Sequence, residues 1–307
     1  MSTGATSGAG STAAPGAGST AAPGAGPGRL YVVATPIGNL GDVTIRAIET
    51  LKAVPLVAAE DTRLTHRLFA RYEITTRLIS YHARSGPRRQ EELLAHLRAG
   101  EDLALVTDAG TPLVSDPGAE LASAWAAEGG VVVPIPGASA VLAALVASGL
   151  AVARWSFEGF LPRHGRERRE RLTRIAADER ACVIYEAPSR VPDTLADLAE
   201  SAGGERRAAV CRELTKMHEE VVRGPLAELA RRAADGITLR GEFVIVLESL
   251  TAADAAEKHL REQGPASMDD ARAEIARLTA AGAKRSDAVR QVAAATGLER
   301  RELYRPD

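Results

Sequence analysis

Four short stretches of this chain combine glycine, proline, hydroxyl and carboxylate residues in a way that suits ligand binding. They are Thr35-Pro36-Ile37-Gly38-Asn39, Glu60-Asp61-Thr62-Arg63, the run DAGTPLVSDPG from Asp108 to Gly118, and Pro136-Gly137-Ala138-Ser139-Ala140. Small residues let backbone amides approach a ligand closely. Serine, threonine and carboxylate groups can then fix a ribose, an amino group or a carboxylate. Taken singly, each stretch is also what a tight βα turn needs. Four together, one of them an unbroken run of turn chemistry, favour a small-molecule site. There is no Walker A pattern and no G-x-G-x-x-G after a strand, so ATP and NAD are poor candidates.

These stretches need elements to hold them. LYVVAT, PLVAAED, TRLISYH, DLALVTDAGTP and VVVPIP read as five short strands, and helical patterns stand between them. That alternation predicts a parallel sheet with helices on both faces, and ligands bind beyond the carboxyl ends of such strands. All four stretches fall there. After residues 147–150 the pattern restarts. WSFEGFLP reads as a strand or an extended link, ACVIYEAP and RAAVCREL as strands, and TLRGEFVIVLES as the last strand. The links mix hairpin and crossover lengths, so the second sheet should be mixed. The expected organisation is an α/β unit over 29–146, a second over 147–250, a linker over 251–265, and a helix-turn-helix-sized helical part over 266–307.

Residues 1–28 are almost entirely Gly, Ala, Ser, Thr and Pro, with GAGSTAAP at 8–15 and again at 16–23. Such a segment buries too little apolar surface to offset its ordering entropy, so it reads as a disordered tail. Its GAGPG at 24–28 mimics a nucleotide loop but precedes the first strand instead of following one. The net charge of −2 excludes a global positive field, so contact with nucleic acid must come from local basic patches. Cys182 and Cys211 sit in apolar runs and read as buried strand residues. No cysteine–histidine cluster has zinc spacing, and no run approaches the length of a membrane span. The composition fits a reducing cytoplasm.

Long motifs in fixed order carry a resemblance. LYVVATPIGNLGDVTIRAIETL, AAEDTRLTHRL, LALVTDAGTPLVSDPGAEL, VVPIPGASAVLAALVASGL, FEGFLPRHGRERRERL, VIYEAPSRV, VCRELTKMHEEVVRG and GEFVIVLE resemble the ribosomal small-subunit methyltransferase I family, within the tetrapyrrole-methylase (class III) superfamily. The resemblance covers about Leu30 to Glu248, and the C-terminal helices are similar to that family's terminal domain. It implies a two-domain S-adenosyl-L-methionine-dependent methyltransferase with the cofactor between the domains. It also implies a homodimer that methylates the 2′-hydroxyl of a cytidine in small-subunit (16S) ribosomal RNA near the decoding site, as RNA or as the 30S subunit. By position it places Pro36 and Gly38 on the cofactor or substrate side. Asp108, Thr111, Pro112, Leu113 and Ser115 would stand beside the cofactor, and Ser139 and Ala140 near its ribose or methionine end. Tyr185, Glu186 and Thr215 would close the site from the second domain. Two segments depart from the family: Ala83-Arg84 follows the SYH histidine, and Ala187 and Ser189 stand in the YE-x-P-x-R segment where Ser and His are expected.

A ribose hydroxyl is a weak acid, so a base or a nearby cation should help it lose its proton. Glu60, Asp61, Glu186, Glu213 and Lys216 are candidates. Asp61 can equally cap the following helix, and Arg212-Glu213 can be an internal ion pair. Basic residues for RNA phosphates fall in three clusters: Arg163 to Arg174 with His164, Arg166, Arg168, Arg169 and Arg171, then Arg84, Arg88 and Arg89, and finally Lys284, Arg285, Arg300, Arg301 and Arg305; Arg63 and His82 are further RNA-binding candidates. The bland reading of each is a solvated helix face. A same-fold methyltransferase on a small molecule or protein side chain, and a non-catalytic ribosome-binding protein, stay open beside the RNA enzyme.

Overall fold

A computed structural model describes residues 26–250, 268–296, Leu298 and 300–304. Five strands form the first sheet: β1 (Arg29–Val33), β2 (Leu56–Ala59), β3 (Arg77–Ser80), β4 (Leu103–Val106) and β5 (Val131–Ile135). Their order is β3-β2-β4-β1-β5 and every pairing is parallel. All residues of β2 and β4 are buried, as an apolar run in a sheet covered on both faces requires. Alternate residues serve opposite cores. Leu30, Ala58, Leu103 and Leu105 meet α3 (Pro87–Arg98) and α4 (Ala119–Ala127), whereas Val33, Val57, Ala104 and Val106 meet α1 (Ile45–Ala53) and α2 (Thr62–Tyr72).

The strand order reverses between β4 and β1, and the crevice at such a switch point is where α/β sheets bind ligands. The two loops leaving these strands are tied together there. Thr35 and Gly110 exchange backbone hydrogen bonds of 2.9 and 3.0 Å, and the Thr35 hydroxyl donates to the Thr107 carbonyl at 3.1 Å.

The second sheet is mixed. Its strands are β6 (Trp155–Phe160), β7 (Ala181–Glu186), β8 (Arg207–Arg212), β9 (Glu220–Pro225) and β10 (Phe243–Leu247), ordered β6-β7-β10-β8-β9. Only β6 and β7 run parallel. WSFEGFLP is therefore a strand, with a register shift between Phe157 and Gly159. TKMHEEVVRG, given no strand by its sequence pattern, contributes edge strand β9. Helices α6 (Gly165–Ala177), α7 (Val191–Ala202) and α8 (Leu226–Asp235) cover one face. The other face is covered by α5 (Ala140–Ser148), whose Val141, Ala144 and Leu145 pack on Val183, Ala209, Cys211 and Val244. Helix α5 starts at the edge of the first sheet and is buried against the second, and the expected division at 146/147 falls inside it. Arg223 of β9 donates to the Ser148 carbonyl at 2.7 Å and also to the Ala147 carbonyl, closing the helix end.

Cys182 and Cys211 are buried free thiols, each pushed up to about 12 by burial. Toward the C-terminus, helices Met268–Ala280, Arg285–Thr296 and Arg300–Leu303 share a small core of Ala271, Ile275, Val289, Val292 and Leu303. The tail over 1–25, the linker over 251–265 and Arg305 lie outside the described residues. Within GAGPG, Gly28 is ordered beside α3: its amide donates to the Leu97 carbonyl at 2.8 Å, and a Cβ there would stand 2.1 Å from the Glu101 carbonyl oxygen. Close packing, not phosphate binding, accounts for that glycine.

Candidate functional site

A cavity of about 360 Å³ opens between the two sheets, within the range of ordinary ligand sites. Its floor comes from the switch-point loops (Ile37, Ala109, Gly110, Thr111) and the start of α5 (Ser139, Ala140). The second sheet supplies Phe160 and Tyr185-Glu186 from the carboxyl ends of β6 and β7, and Gly241 to Val244 from the start of β10. Tyr185 packs edge-on against Phe157 and Phe160, with ring centres 4.9 and 5.7 Å away. Phe160 is 56% exposed, an aromatic face free to stack on a flat ligand.

The loop from Asp108 to Gly118 is shaped by strain. Leu113 and Ser115 both hold left-handed backbone, at φ 73° and 67°. Each such residue costs on the order of 1–3 kcal/mol and persists only where its surroundings enforce it. Here Leu113 is packed on the first core, and Ser115 lies against Gly159 of β6, where a Cβ would come within 3.2 Å of its hydroxyl. The result turns Val114, Ser115 and Asp116 onto the cavity wall.

Of the residues expected at the cofactor, Thr111, Ser115, Ser139, Ala140, Tyr185 and Glu186 line this cavity. Pro36, Gly38, Asp108, Pro112, Leu113 and Thr215 do not. Pro36 is buried under the first loop. Gly38 carries Lys216 of the second unit, whose Cγ would lie 2.4 Å from any Cβ there. Thr215 is left-handed at φ 67°, and its buried hydroxyl has no partner among the described residues. Asp108 stands at the edge, accepting from the Asp61 amide at 2.9 Å.

Most of the expected bases are held by other groups. Asp61 caps α2 by accepting from the Arg63 amide and pairs with the Arg63 guanidinium at 2.6 Å, which holds its carboxyl down at about 2. Glu186 is 2% exposed. It accepts from the Ala187 amide at 2.8 Å and the Thr194 hydroxyl at 2.6 Å, and pairs with Arg190 at 3.2 Å. Lys216 bridges Glu213 at 2.8 Å and Glu242 at 2.9 Å. Burial pulls Lys216 down, but those two hydrogen bonds outweigh it and the net shift is upward. Glu213 is lowered chiefly by its bond from Lys216. Arg212 pairs with Glu220 at 3.4 Å and not with Glu213. Glu60 is raised by burial and then by the charge of Asp108.

Asp116 was not among the candidates from sequence, although it stands in DAGTPLVSDPG. Its Oδ2 accepts from the Thr107 hydroxyl at 3.2 Å. Burial pushes it up to about 6; the Thr107 bond opposes this, and the charges of Glu60 and Asp108 add to it. Phe160, Gly241 and Glu242 were also unassigned. All three lie in motifs that carried the resemblance, FEGFLP and GEFVIVLE, but nothing local marks them as wall residues.

The basic residues split. Arg63, His82, Arg88, Arg163, Arg166, Arg169, Lys284 and Arg285 are exposed or partly so, and none of them lines the cavity. Arg168 is buried: at 7% exposure it binds Asp197, Thr194 and the Pro162 carbonyl. Arg171 is held by Glu158 at 2.8 Å. These two arginines of the α6 cluster therefore build the second unit instead of facing a partner.

Two α/β units, one parallel and one mixed, with a cavity at the switch point have the architecture of the tetrapyrrole-type methylases, and the family match agrees. The model of the Tetrapyrrole (Corrin/Porphyrin) Methylases matches residues 29–230. Solved structures agree in fold. The cobalamin-biosynthetic cobalt precorrin-4 methyltransferase superposes with a TM-score of 0.56 at 18% identity, covering 72% of this chain and 94% of that one. The uroporphyrin-III C-methyltransferase of Thermus thermophilus, solved with S-adenosyl homocysteine, gives 0.53 at 20% identity over 72% and 97%. Closer relatives are ribosomal RNA small subunit methyltransferases I. That of Synechocystis is 48% identical over 90% of this chain and 96% of its own length, and that of Bacillus subtilis 41% over 90% and 93%. The chain belongs to the ribosomal RNA small subunit methyltransferase I family, and it is a methyltransferase.

Proposed function

We propose that the chain uses S-adenosyl-L-methionine to methylate the 2′-hydroxyl of a cytidine in 16S ribosomal RNA near the decoding site. The observation that carries the cofactor is the charge of the cavity wall. Among the described residues its lining holds three carboxylates, Asp116, Glu186 and Glu242, and no lysine, arginine or histidine; Arg190 and Lys216 offset two of them from outside the lining and leave Asp116 as the unpaired charge. Such a wall disfavours phosphate-bearing cofactors and suits a ligand with a sulfonium and an ammonium. Phe160 and Tyr185 offer faces for an adenine. When bound, the sulfonium supplies a methyl group with a neutral leaving group, so the protein's share is chiefly positioning.

The RNA acceptor is supported by exposed arginines that lie close in sequence to residues of the site. Arg163 follows Phe160 by three residues, and Arg63 follows the Glu60-Asp61 edge. We read the parallel unit up to β5 and the mixed unit from α5 to residue 250 as the two lobes, and 266–307 as an RNA-facing appendage. A homodimer is supported by Leu142 and Val146, which leave apolar side chains 54% and 84% exposed on the outer face of α5. A ribosomal substrate places the reaction in the cytoplasm.

The test is transfer of labelled methyl from S-adenosyl-L-methionine to small subunits taken from a strain lacking the gene, with primer extension at low dNTP. The expected result is a 2′-O-methyl stop at the decoding site that depends on the added protein. Cofactor binding by calorimetry without such a stop would leave the fold's methylase chemistry but sink the RNA acceptor.

A further inference from the structure

The three carboxylates on the cavity wall differ in how they are held. Glu186 has both oxygens engaged, by the Ala187 amide, Arg190 and the Thr194 hydroxyl. Glu242 is paired with Lys216. Asp116 has no cationic partner among the described residues; the Thr107 hydroxyl holds it, through Oδ2. The charged and titratable groups facing it are Glu60 from the end of β2, Asp108 from the end of β4 and the Tyr185 hydroxyl of β7. Two of these are anionic, and Tyr185 is kept neutral by burial, its own value pushed up to about 12. None of them neutralises Asp116, and the strained Leu113–Ser115 turn fixes it on the wall.

We propose that Asp116 is the base that takes the proton from the acceptor hydroxyl, a reading that rests on the function proposed above. The hydroxyl O–H pair becomes available to oxygen as the proton passes to Oδ1. The O–CH3 bond forms, the S–CH3 bond breaks, and the released pair stays on sulfur as a neutral thioether. Asp116 ends as a carboxylic acid and returns its proton to water. A base works best when its own value lies near the operating pH, and Asp116, at about 6, is ionised yet basic at neutral pH.

Asp116→Asn keeps the shape and removes the base; Asp116→Glu keeps the base and moves it. In the full-length chain, Asp116→Asn should weaken S-adenosylhomocysteine binding by a few-fold, far less than it slows transfer. Its single-turnover methyl transfer to small subunits should fall by about 100-fold or more. The acidic limb of the wild-type rate profile, centred near 6, should vanish, and Asp116→Glu should recover part of the rate. A second readout needs no cofactor. Because the folded-state value lies above that of an unfolded aspartate, stability is fully present below the unfolded value and is lost as pH rises through about 6. The ligand-free Asp116→Asn chain should therefore melt higher than wild type at pH 8 and no higher at pH 4. An unimpaired transfer rate in Asp116→Asn overturns the proposal. So does a loss of cofactor affinity that accounts for the whole rate drop, which would assign Asp116 to the cofactor's ammonium. Equal melting of the two chains at pH 8 counts against it as well. A wild-type chain that binds cofactor but transfers nothing to small subunits overturns the RNA reading itself, and with it this one.

Discussion

At the scale of single residues, side chains of the second unit meet the first in ways that no motif reveals. Lys216 lies across Gly38 while its ammonium bridges Glu213 and Glu242. A Cβ on Gly38 would overlap the middle of the lysine stem, which cannot swing aside without leaving its carboxylates. Gly38→Ala should therefore weaken S-adenosylhomocysteine binding although Gly38 does not line the cavity. Lys216→Ala should remove the ion pairs, and the double variant should cost less than the two single losses summed. A double-mutant cycle on the calorimetric affinities should give a coupling of about 0.5–3 kcal/mol, as expected of residues in contact. A coupling of zero would mean that the lysine rests on the glycine without consequence. Glycine at 38 was legible as a special position; its reason, a lysine 178 residues further along the chain, was not.

Among the elements, the first unit was readable because its strands are short apolar runs punctuated by turn chemistry. Strand β9 was not, since only Val222 of its residues is buried and an edge strand carries little hydrophobic pattern. Helix α5 is apolar on nearly every face, so its sequence could not say which sheet it would cover. The second unit is also closed by a group that reads as an ordinary surface arginine. Arg206 is 8% exposed and donates to the carbonyls of Glu248, Ile175, Asp178 and Arg180. Removing it strands several buried acceptors at once. Arg206→Met should destabilise the fold by about 3 kcal/mol, given about 1.5–3 kcal/mol for a hydrogen bond to a charged group and partial rehydration. Urea unfolding would check this, and a change under about 0.5 kcal/mol would mean water replaces the guanidinium freely.

For the whole molecule, a net charge of −2 coexists with an anionic cavity and exposed arginines outside it. On the function proposed above, that separation would let one chain hold a cationic cofactor and still approach a polyanion. Replacing Arg163, Arg166 and Arg169 together by Gln should weaken binding to small subunits. It should also reduce the slope of log affinity against log salt by about 2–3, at about 0.7–0.9 for each phosphate no longer neutralised. Titration of subunits at several potassium chloride concentrations would check it. An unchanged slope would show these exposed arginines to be a solvated face.

The alternation of strands and helices, the placing of turn chemistry at strand ends, and the family were all legible along the chain, because they depend on local patterns read in order. Which carboxylate is left available emerges once the chain is folded. Asp61, Glu186 and Glu213 each have a cation a few residues further along, Arg63, Arg190 and Lys216, and local geometry closes each pair. Asp116 is left with a threonine hydroxyl and two like charges, those of Glu60 and Asp108, carried in on separate strands. Ionisation and reactivity follow from neighbours in space and from where their side chains point, and neither is written in the spacing along the chain.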